Sequence, residues 1–485
     1  MIKTVPLLTV CLGTFLTARA QQDLAGFRTS NYSGVNAVFS NPASIADSRY
    51  RWDVNVFGIN ANVSNNQAQF KLKDLGKTFD EDKITDQLFG KEAGTTSGLA
   101  AIALHLPSFM VSVGPKMAFA VTTRARVLAN INEMDGKLVN QVRDVTENTN
   151  LPYTISSNSN MGINVSGWTE IGASFAREAY VTGAHYFKAG ATLKYLSGIG
   201  NVNVHLSDFK GTINADILAE DAYLSNATAK VGVASSGVNI ADFEVDQLTK
   251  ISGRGMGADL GVVYEWRPES DVVRNASGGY ERAANQYKLR VGISVLDIGR
   301  IKFDRDLERS AAYNMSVTGS ERFYLSELEG VSLNDYTSAF NEHPEYFAPD
   351  ESANTTKYKV SLPTTLQINA DYHIHQHFYV NANGQIAMTK GTKKPYNGQY
   401  YSGVSVTPRY EGRKFGFSLP LNYNGLTKFN AGASFSAGPL YVGSGSVLTA
   451  LFGNSKQADV FIGFRFGQLY KVKKNHTPSA ENAPS

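Results

Sequence analysis

Long parts of this chain alternate apolar and polar side chains with a period of two. Met117-Phe119-Val121 alternates with Ala118-Ala120-Thr122, and the second phase runs on to Arg124 and Arg126. Phe187-Ala189-Ala191-Leu193-Tyr195 alternates with Lys188-Gly190-Thr192-Lys194, and Met256-Ala258-Leu260-Val262-Tyr264-Trp266 mainly with Gly257-Asp259-Gly261-Glu265. The same pattern returns in Tyr287–Val295, Leu366–His373, Phe378–Ile386 and Asp459–Phe466. Weaker alternation marks further strands near Trp52–Val63, Ile102–Val113, Trp168–Phe175, Tyr313–Val317, Val404–Tyr410, Phe415–Leu419, Phe429–Phe435 and Leu440–Gly443. Successive side chains of a strand point to opposite faces. These segments therefore carry one apolar face and one small, polar or charged face, at a length close to the roughly 9–11 residues that cross a bilayer when tilted.

Such strands fit a barrel wall with the apolar phase against lipid and the polar phase in the lumen. A soluble β-sandwich also alternates, but composition argues against it. Charged residues make up only 18% of the chain, against about 25% in soluble proteins, and there are 44 Gly, 24 Tyr and 26 Phe. Aromatic residues gather at the ends of the apolar phase (Tyr195, Tyr264, Trp266, Tyr287, Tyr372, Phe378, Phe466), where interfacial girdles form. Unpaired backbone groups are not tolerated in hydrocarbon, so the sheet must close. The expected fold is an all-β transmembrane antiparallel barrel of about 14 strands, 14 to 16 by segment count. Short turns at Gly114-Pro115-Lys116, His375-Gln376-His377, Glu411-Gly412-Arg413 and Gly438-Pro439 should face the periplasm. Residues 65–98, 130–162, 198–252 and 319–356 should be extracellular. Within 198–252, Val202-Val204-Leu206 and Ile213-Ala215-Ile217 read either as a wall strand or as a hairpin above the wall.

The ends set the compartment. Lys3, the apolar stretch Val5–Leu16 and Ala18-Arg19-Ala20 read as a secretory signal peptide over residues 1–20, the mature chain starting at Gln21. The single cysteine, Cys11, falls inside it and lacks the context of a lipid-anchored cysteine. Residues 21–51 carry Leu24, Phe27, Tyr32, Val35, Val38 and Phe39 among Ser, Asn and Gly, too polar for a wall strand. They read as a hatch or plug inside the barrel, or as a periplasmic arm. The barrel should occupy 52–467 and a short polar periplasmic tail 468–485. The net charge of +3 and the lack of a basic stripe give no ground for nucleic-acid binding.

Candidate chemistry is sparse. The lumen phase collects Arg124, Arg126, Glu170, Lys188, Lys194, Asp259, Glu265, Lys288, Arg290, Asp371 and Arg465. These either tune passage and hold the hatch, or pair with one another inside a closed barrel. His373, His375 and His377 alternate but straddle a turn, so no metal site is expected. Gly253, Gly255, Gly257 and Gly261 miss the spacing of a phosphate loop and read as small lumen-facing residues near a plug. Hydrolase motifs G-x-S-x-G and H-E-x-x-H are missing, and neither catalysis nor a cofactor is expected.

The stretch Gly255–Pro268, Leu296-Asp297-Ile298-Gly299-Arg300-Ile301-Lys302-Phe303, Leu362-Pro363-Thr364 and the segments from Thr407-Pro408-Arg409-Tyr410 to Ala458–Gly463 resemble a poorly characterised outer-membrane barrel family of bacteria with type IX secretion. Asn41-Pro42-Ala43 resembles the NPA element of FadL/PorV-like long-chain fatty-acid transporter barrels, whose N-terminal segment folds inward as a hatch. The resemblance implies a passive outer-membrane transporter for a small, in one version hydrophobic, molecule. Its rival is a non-transporting scaffold that partners a secretion or adhesion apparatus in the same membrane.

Overall fold

The computed structural model describes residues 24–72, 81–90, 94–143, 151–157, 160–237, 250–274, 280–328, 331, 336–351, 355–391 and 396–471. The expected signal peptide and all but the first residues of the expected tail lie outside them. The strands are β1 (Tyr50–Asn65), β2 (Thr95–His105), β3 (Ser108–Val113), β4 (Met117–Asp135), β5 (Tyr153–Ser156), β6 (Met161–Thr182), β7 (His185–Asp216), β8 (Asp221–Gly237), β9 (Gly253–Trp266) and β10 (Leu289–Asp304). They continue as β11 (Ala311–Val317), β12 (Phe323–Tyr324), β13 (Phe347–Pro349), β14 (Lys357–Ser361), β15 (Thr365–His375), β16 (Phe378–Ala387) and β17 (Gly403–Glu411). The last are β18 (Phe415–Ser418), β19 (Leu421–Asn424), β20 (Lys428–Ala431), β21 (Ala433–Ala437), β22 (Leu440–Ser444) and β23 (Gln457–Leu469).

Antiparallel pairing runs from β1 through β2 and β3 to β4, β6, β7, β9, β10 and β15, and on through β16 to β23. β23 pairs back onto β1, from Tyr50↔Leu469 to Ser64↔Gln457, so no edge is left open. Counting β2 with β3, β14 with β15, β18 with β19 and β20 with β21 as single broken strands, the wall has 14 strands. One break falls at Leu106-Pro107 between β2 and β3 and another at Leu419-Pro420 between β18 and β19, because proline supplies no ladder donor.

The apolar phase faces outward. Phe119, Val121, Leu193, Leu260, Val262, Ile293, Ile368 and Ile462 are exposed on the wall, which lipid would cover. Trp52, Trp266, Tyr372, Phe378, Phe415 and Phe466 ring the end carrying the short turns, while Tyr195, Tyr423 and Phe429 mark the opposite level. No helix among the described residues is long and apolar enough to cross a membrane, which says nothing against strands.

Two sequence expectations need correction, and one open alternative is resolved. Tyr287 is buried inside the barrel, while Lys288 lies outside, its ammonium 5.1 Å from the ring of outward-facing Tyr372 and 3.2 Å from the Ile374 carbonyl. The alternation begins only at Leu289, where β10 starts, so extending it back to Tyr287 inverts two residues. Tyr313–Val317 is not wall but part of a sheet above it, paired with β8 and β13. The ambiguous 198–252 region resolves as a hairpin: the lower half of β7 pairs with β9, and its upper half leaves the wall to pair with β8. Opposite β6, Gly167 pairs with Gly200 and Trp168 with Gly198, so Ile199 is an extra residue. A bulge of this kind bends a strand and shifts its phase.

Above the wall, β5, upper β7, β8, β11, β12 and β13 form a second layer with its own apolar core. Phe209, Ile213, Leu224, Tyr313, Met315, Phe323, Phe340 and Phe347 are buried together there. Phe323 packs edge-on to Phe347 at 5.1 Å, and Phe340 stacks on Phe347 at 4.3 Å.

Candidate functional site

The lumen is occupied by residues 24–49. Their peptide groups are tied by short-range turns, including two 3-10 helices, Gly34–Phe39 and Pro42–Ile45. Gly34 adopts φ +59, and a Cβ there would lie 2.2 Å from Asp53 Oδ1 and 2.4 Å from an Arg465 nitrogen. Only glycine fits that approach.

Asn41 caps the second 3-10 helix by accepting from the Ala43 amide at 2.9 Å. Its side-chain nitrogen donates to the wall carbonyls of Val262 (3.1 Å) and Ile293 (3.2 Å). The facing wall is flattened by glycine: a Cβ at Gly190 would meet the Ala43 nitrogen at 2.5 Å, and one at Gly261 the Asn41 side-chain oxygen at 2.0 Å. Asn41-Pro42-Ala43 is thus a docking element seated on β7, β9 and β10. Of the four glycines singled out in β9, Gly261 alone meets this segment. Gly253 and Gly255 lie against β10 and Gly257 against Ile298, Leu362 and Leu196.

Charged groups hold the segment and brace the wall. Asp53 of β1 accepts from the Val35 amide at 2.8 Å and pairs with Arg465 at 2.7 Å. Asp47 pairs with Arg267 at 2.6 Å, with Arg282 at 3.4 Å and with Lys188 at 3.8 Å. Glu265 pairs with Lys188 at 2.7 Å and takes a 2.9 Å bond from Arg267. Arg290 donates to Asn31 (2.9 Å), to the Thr29 carbonyl (3.0 Å) and to Asp371 (3.2 Å). Glu411 accepts from the backbone and side-chain nitrogens of Asn31 at 3.1 and 2.8 Å, and Arg409 bridges Glu411 (2.7 Å) to Asp371 (2.6 Å).

Farther from the short turns lies a second cluster. Arg124 donates to Glu170 at 2.6 Å; Arg126 reaches Asp297 at 3.0 Å and Glu170 at 3.4 Å. Lys194 contacts Asp259 and Asp297, each at 2.7 Å. Three cations face three carboxylates, all buried. Uncompensated charge in such a place costs several kcal/mol, so each of these groups depends on its partners staying charged and in place.

Ten of the eleven charged positions assigned to the lumen phase face inward; Lys288 does not. Sequence reasoning missed Asp53, Asp297, Arg409 and Glu411. Asp297 has φ +57 at a bulge between Val295 and Ile298, which turns it inward against the alternation. Arg409 and Glu411 sit in the polar phase of β17, where Val404, Val406 and Pro408 already marked the other phase. The three histidines part company: His373 points inward and bonds the Gln376 carbonyl at 3.1 Å, while His375 and His377 are exposed. Among the described residues no group of three or more His, Cys, Asp or Glu is placed to hold a metal.

Among the described residues, two of the polar cavities that border the inner segment lie at different levels of the barrel. One opens at the short-turn end beside Arg49, Arg267 and Asn285; the other lies mid-barrel among Asn60, Arg124, Asp297, Gln367 and Tyr400. Arg28 lines both, so the segment is the partition between them. Neither lining offers an extended apolar surface.

The fold is similar to several solved barrels at low identity. The Pseudomonas putida toluene transporter TodX matches with TM-score 0.41 and 11% identity over 91% of this chain and 95% of its own. The Ralstonia pickettii toluene transporter TbuX matches with TM-score 0.38 and 11% identity over 90% and 94%. A Pseudomonas aeruginosa FadL homologue gives TM-score 0.38 and 10% identity over 93% and 98%. No curated protein matches the chain. Residues 42–445, from Pro42 of the docking element to the end of β22, match one family model, and the chain belongs to that family of unknown function, DUF5723.

Proposed function

We propose that this protein is an outer-membrane barrel through which a small polar solute passes when the inner segment, residues 24–49, yields. The observation that carries the reading is the pair of polar cavities on either side of that segment, with Arg28 common to both. The short-turn end is taken as periplasmic, as in other outer-membrane barrels. The lining favours a polar over a hydrophobic passenger, because an apolar molecule would leave buried Asn, Gln and Arg groups without partners.

Locking provides the test. Ser294 Oγ donates to the Ser40 carbonyl at 2.7 Å, so Ser40→Cys with Ser294→Cys puts one thiol on each side of this segment–wall contact, in a chain whose single native cysteine, Cys11, precedes the expected mature start, and loss of both free thiols on oxidation reports the link. In liposome swelling with small sugars and amino acids, the reduced double variant should conduct and the oxidised one should not. Removal of residues 24–48 should raise permeation further. Equal permeation by all of these proteins would refute the reading.

A second reading, a surface scaffold for secretion or adhesion partners, is favoured by one feature. The β7–β8 hairpin stands on its own apolar core and ends in Ile217 and Leu218, 87% and 99% exposed. Affinity capture from outer membranes, with Leu218→Asp as control, separates the two: partners lost on that substitution favour the scaffold.

A further inference from the structure

We infer that the cleft at the short-turn end is a binding site for a small oxyanion, a phosphate or carboxylate group, reached from that side of the membrane. Among the described residues its lining brings together Arg49, Lys188, Arg267, Arg282 and Arg290 against Asp47 and Glu265, while Arg28, which also lines it, reaches Gln367 of the mid-barrel cavity. Behind the lining lie Arg409 and three further carboxylates, Asp371, Glu411 and Glu281. With Arg28 set aside, six cations against five carboxylates still leave a positive excess among the described residues. The mid-barrel cluster, at three against three, shows that this barrel can brace itself with balanced charge.

Arg49 carries the argument further. It belongs to the inner segment and is 9% exposed. Its side-chain hydrogen bonds are long ones to neutral oxygens, Asn285 at 3.4 Å and Tyr379 at 3.5 Å, with the guanidinium 4.7 Å above the Tyr32 ring. No carboxylate lies within ion-pair distance of it among the described residues. A planar guanidinium is matched geometrically to carboxylate and phosphate oxygens. A cleft walled by protein and lined mainly by one sign of charge also concentrates counter-ions. The β9–β10 connection, which supplies Arg267, Arg282 and Asn285, and the inner segment, which supplies Arg49, would be bridged by one anion.

The inference goes beyond the transport reading, since binding needs no passage. Titration calorimetry on the full chain in detergent, with inorganic phosphate and with citrate as probes, tests it and separates the two anion chemistries. One site per chain is expected for at least one probe. It should be retained in the oxidised Ser40→Cys, Ser294→Cys double variant, so that a failure of transport leaves this result standing. Arg49→Gln should weaken binding by about tenfold or more, the worth of one charge-assisted bond. Asn285→Asp keeps every cation but neutralises Arg49 in place and should weaken binding similarly; it decides the matter if Arg49→Gln does not fold. Lys302→Gln, exposed near the opposite end, should bind as the parent does. Absence of heat with both anions overturns the inference, as does parental affinity in folded Asn285→Asp.

Discussion

The lumen buries Arg126 against Glu170 and Asp297, whereas the sheet above the wall buries Phe323 against Phe347 and Phe340. Both regions are made of strands with the same two-residue alternation, and β7 passes through both. In its lower half Phe187, Leu193 and Tyr195 look outward, and Lys188 and Lys194 look in. In its upper half Phe209 and Ile213 are covered by β8, β11 and the helix Tyr336–Asn341. The difference is the surroundings. Where lipid takes the apolar face, the protein interior is left to polar groups that must satisfy one another. Where water surrounds the strand, the apolar face has to find a protein partner.

Substitutions that break one region and spare the other sharpen this contrast. Phe323→Ala should cost the outer sheet about 3–5 kcal/mol, as expected for a fully buried aromatic. Limited proteolysis should then nick residues 205–235 or 311–349 while the barrel keeps its heat-modifiable migration in gels. Glu170→Gln removes a carboxylate shared by Arg124 and Arg126 and should destabilise the barrel by about 3–5 kcal/mol, read as a lower urea midpoint with the outer sheet still protease-resistant. Leu260→Arg places a charge on the wall at a residue 52% exposed, with an expected cost of about 2–4 kcal/mol near mid-bilayer. The same change at Leu307, 54% exposed above the wall, should stay within about 0.5 kcal/mol. Equal costs at Leu260 and Leu307 in lipid vesicles would mean that lipid does not cover the wall. Smallest of all, Arg274→Ala removes an exposed pair with Glu269 and should leave the urea midpoint where it was.

The sequence was most legible where a strand alternates without interruption. Arg124, Arg126, Lys188, Lys194, Asp259 and Glu265 could all be assigned inward because period-two geometry leaves no choice once one face is apolar. Legibility ended at irregularities. The bulge at Asp297, the late start of β10 at Leu289 and the extra residue Ile199 each reverse the phase, and none has a signature that composition reveals. The Asn41-Pro42-Ala43 element was visible as a turn, but its receptor was not. Gly190, Gly261 and Gly292 lie on three separate strands and become one flat patch only when β7, β9 and β10 pair.

Alternation, low charge and aromatic strand ends by themselves determined a closed wall with one face for lipid and one for polar groups. Such a pattern is local, and each residue's side follows from its neighbours along the chain. Tertiary structure alone decided which charges meet, that residues 24–49 divide the lumen, and that a cationic cleft forms between that segment and the β9–β10 connection. Those outcomes depend on register between strands distant in sequence, and a contact such as that between Asp53 and Arg465, 412 residues apart, exists only after the barrel has closed.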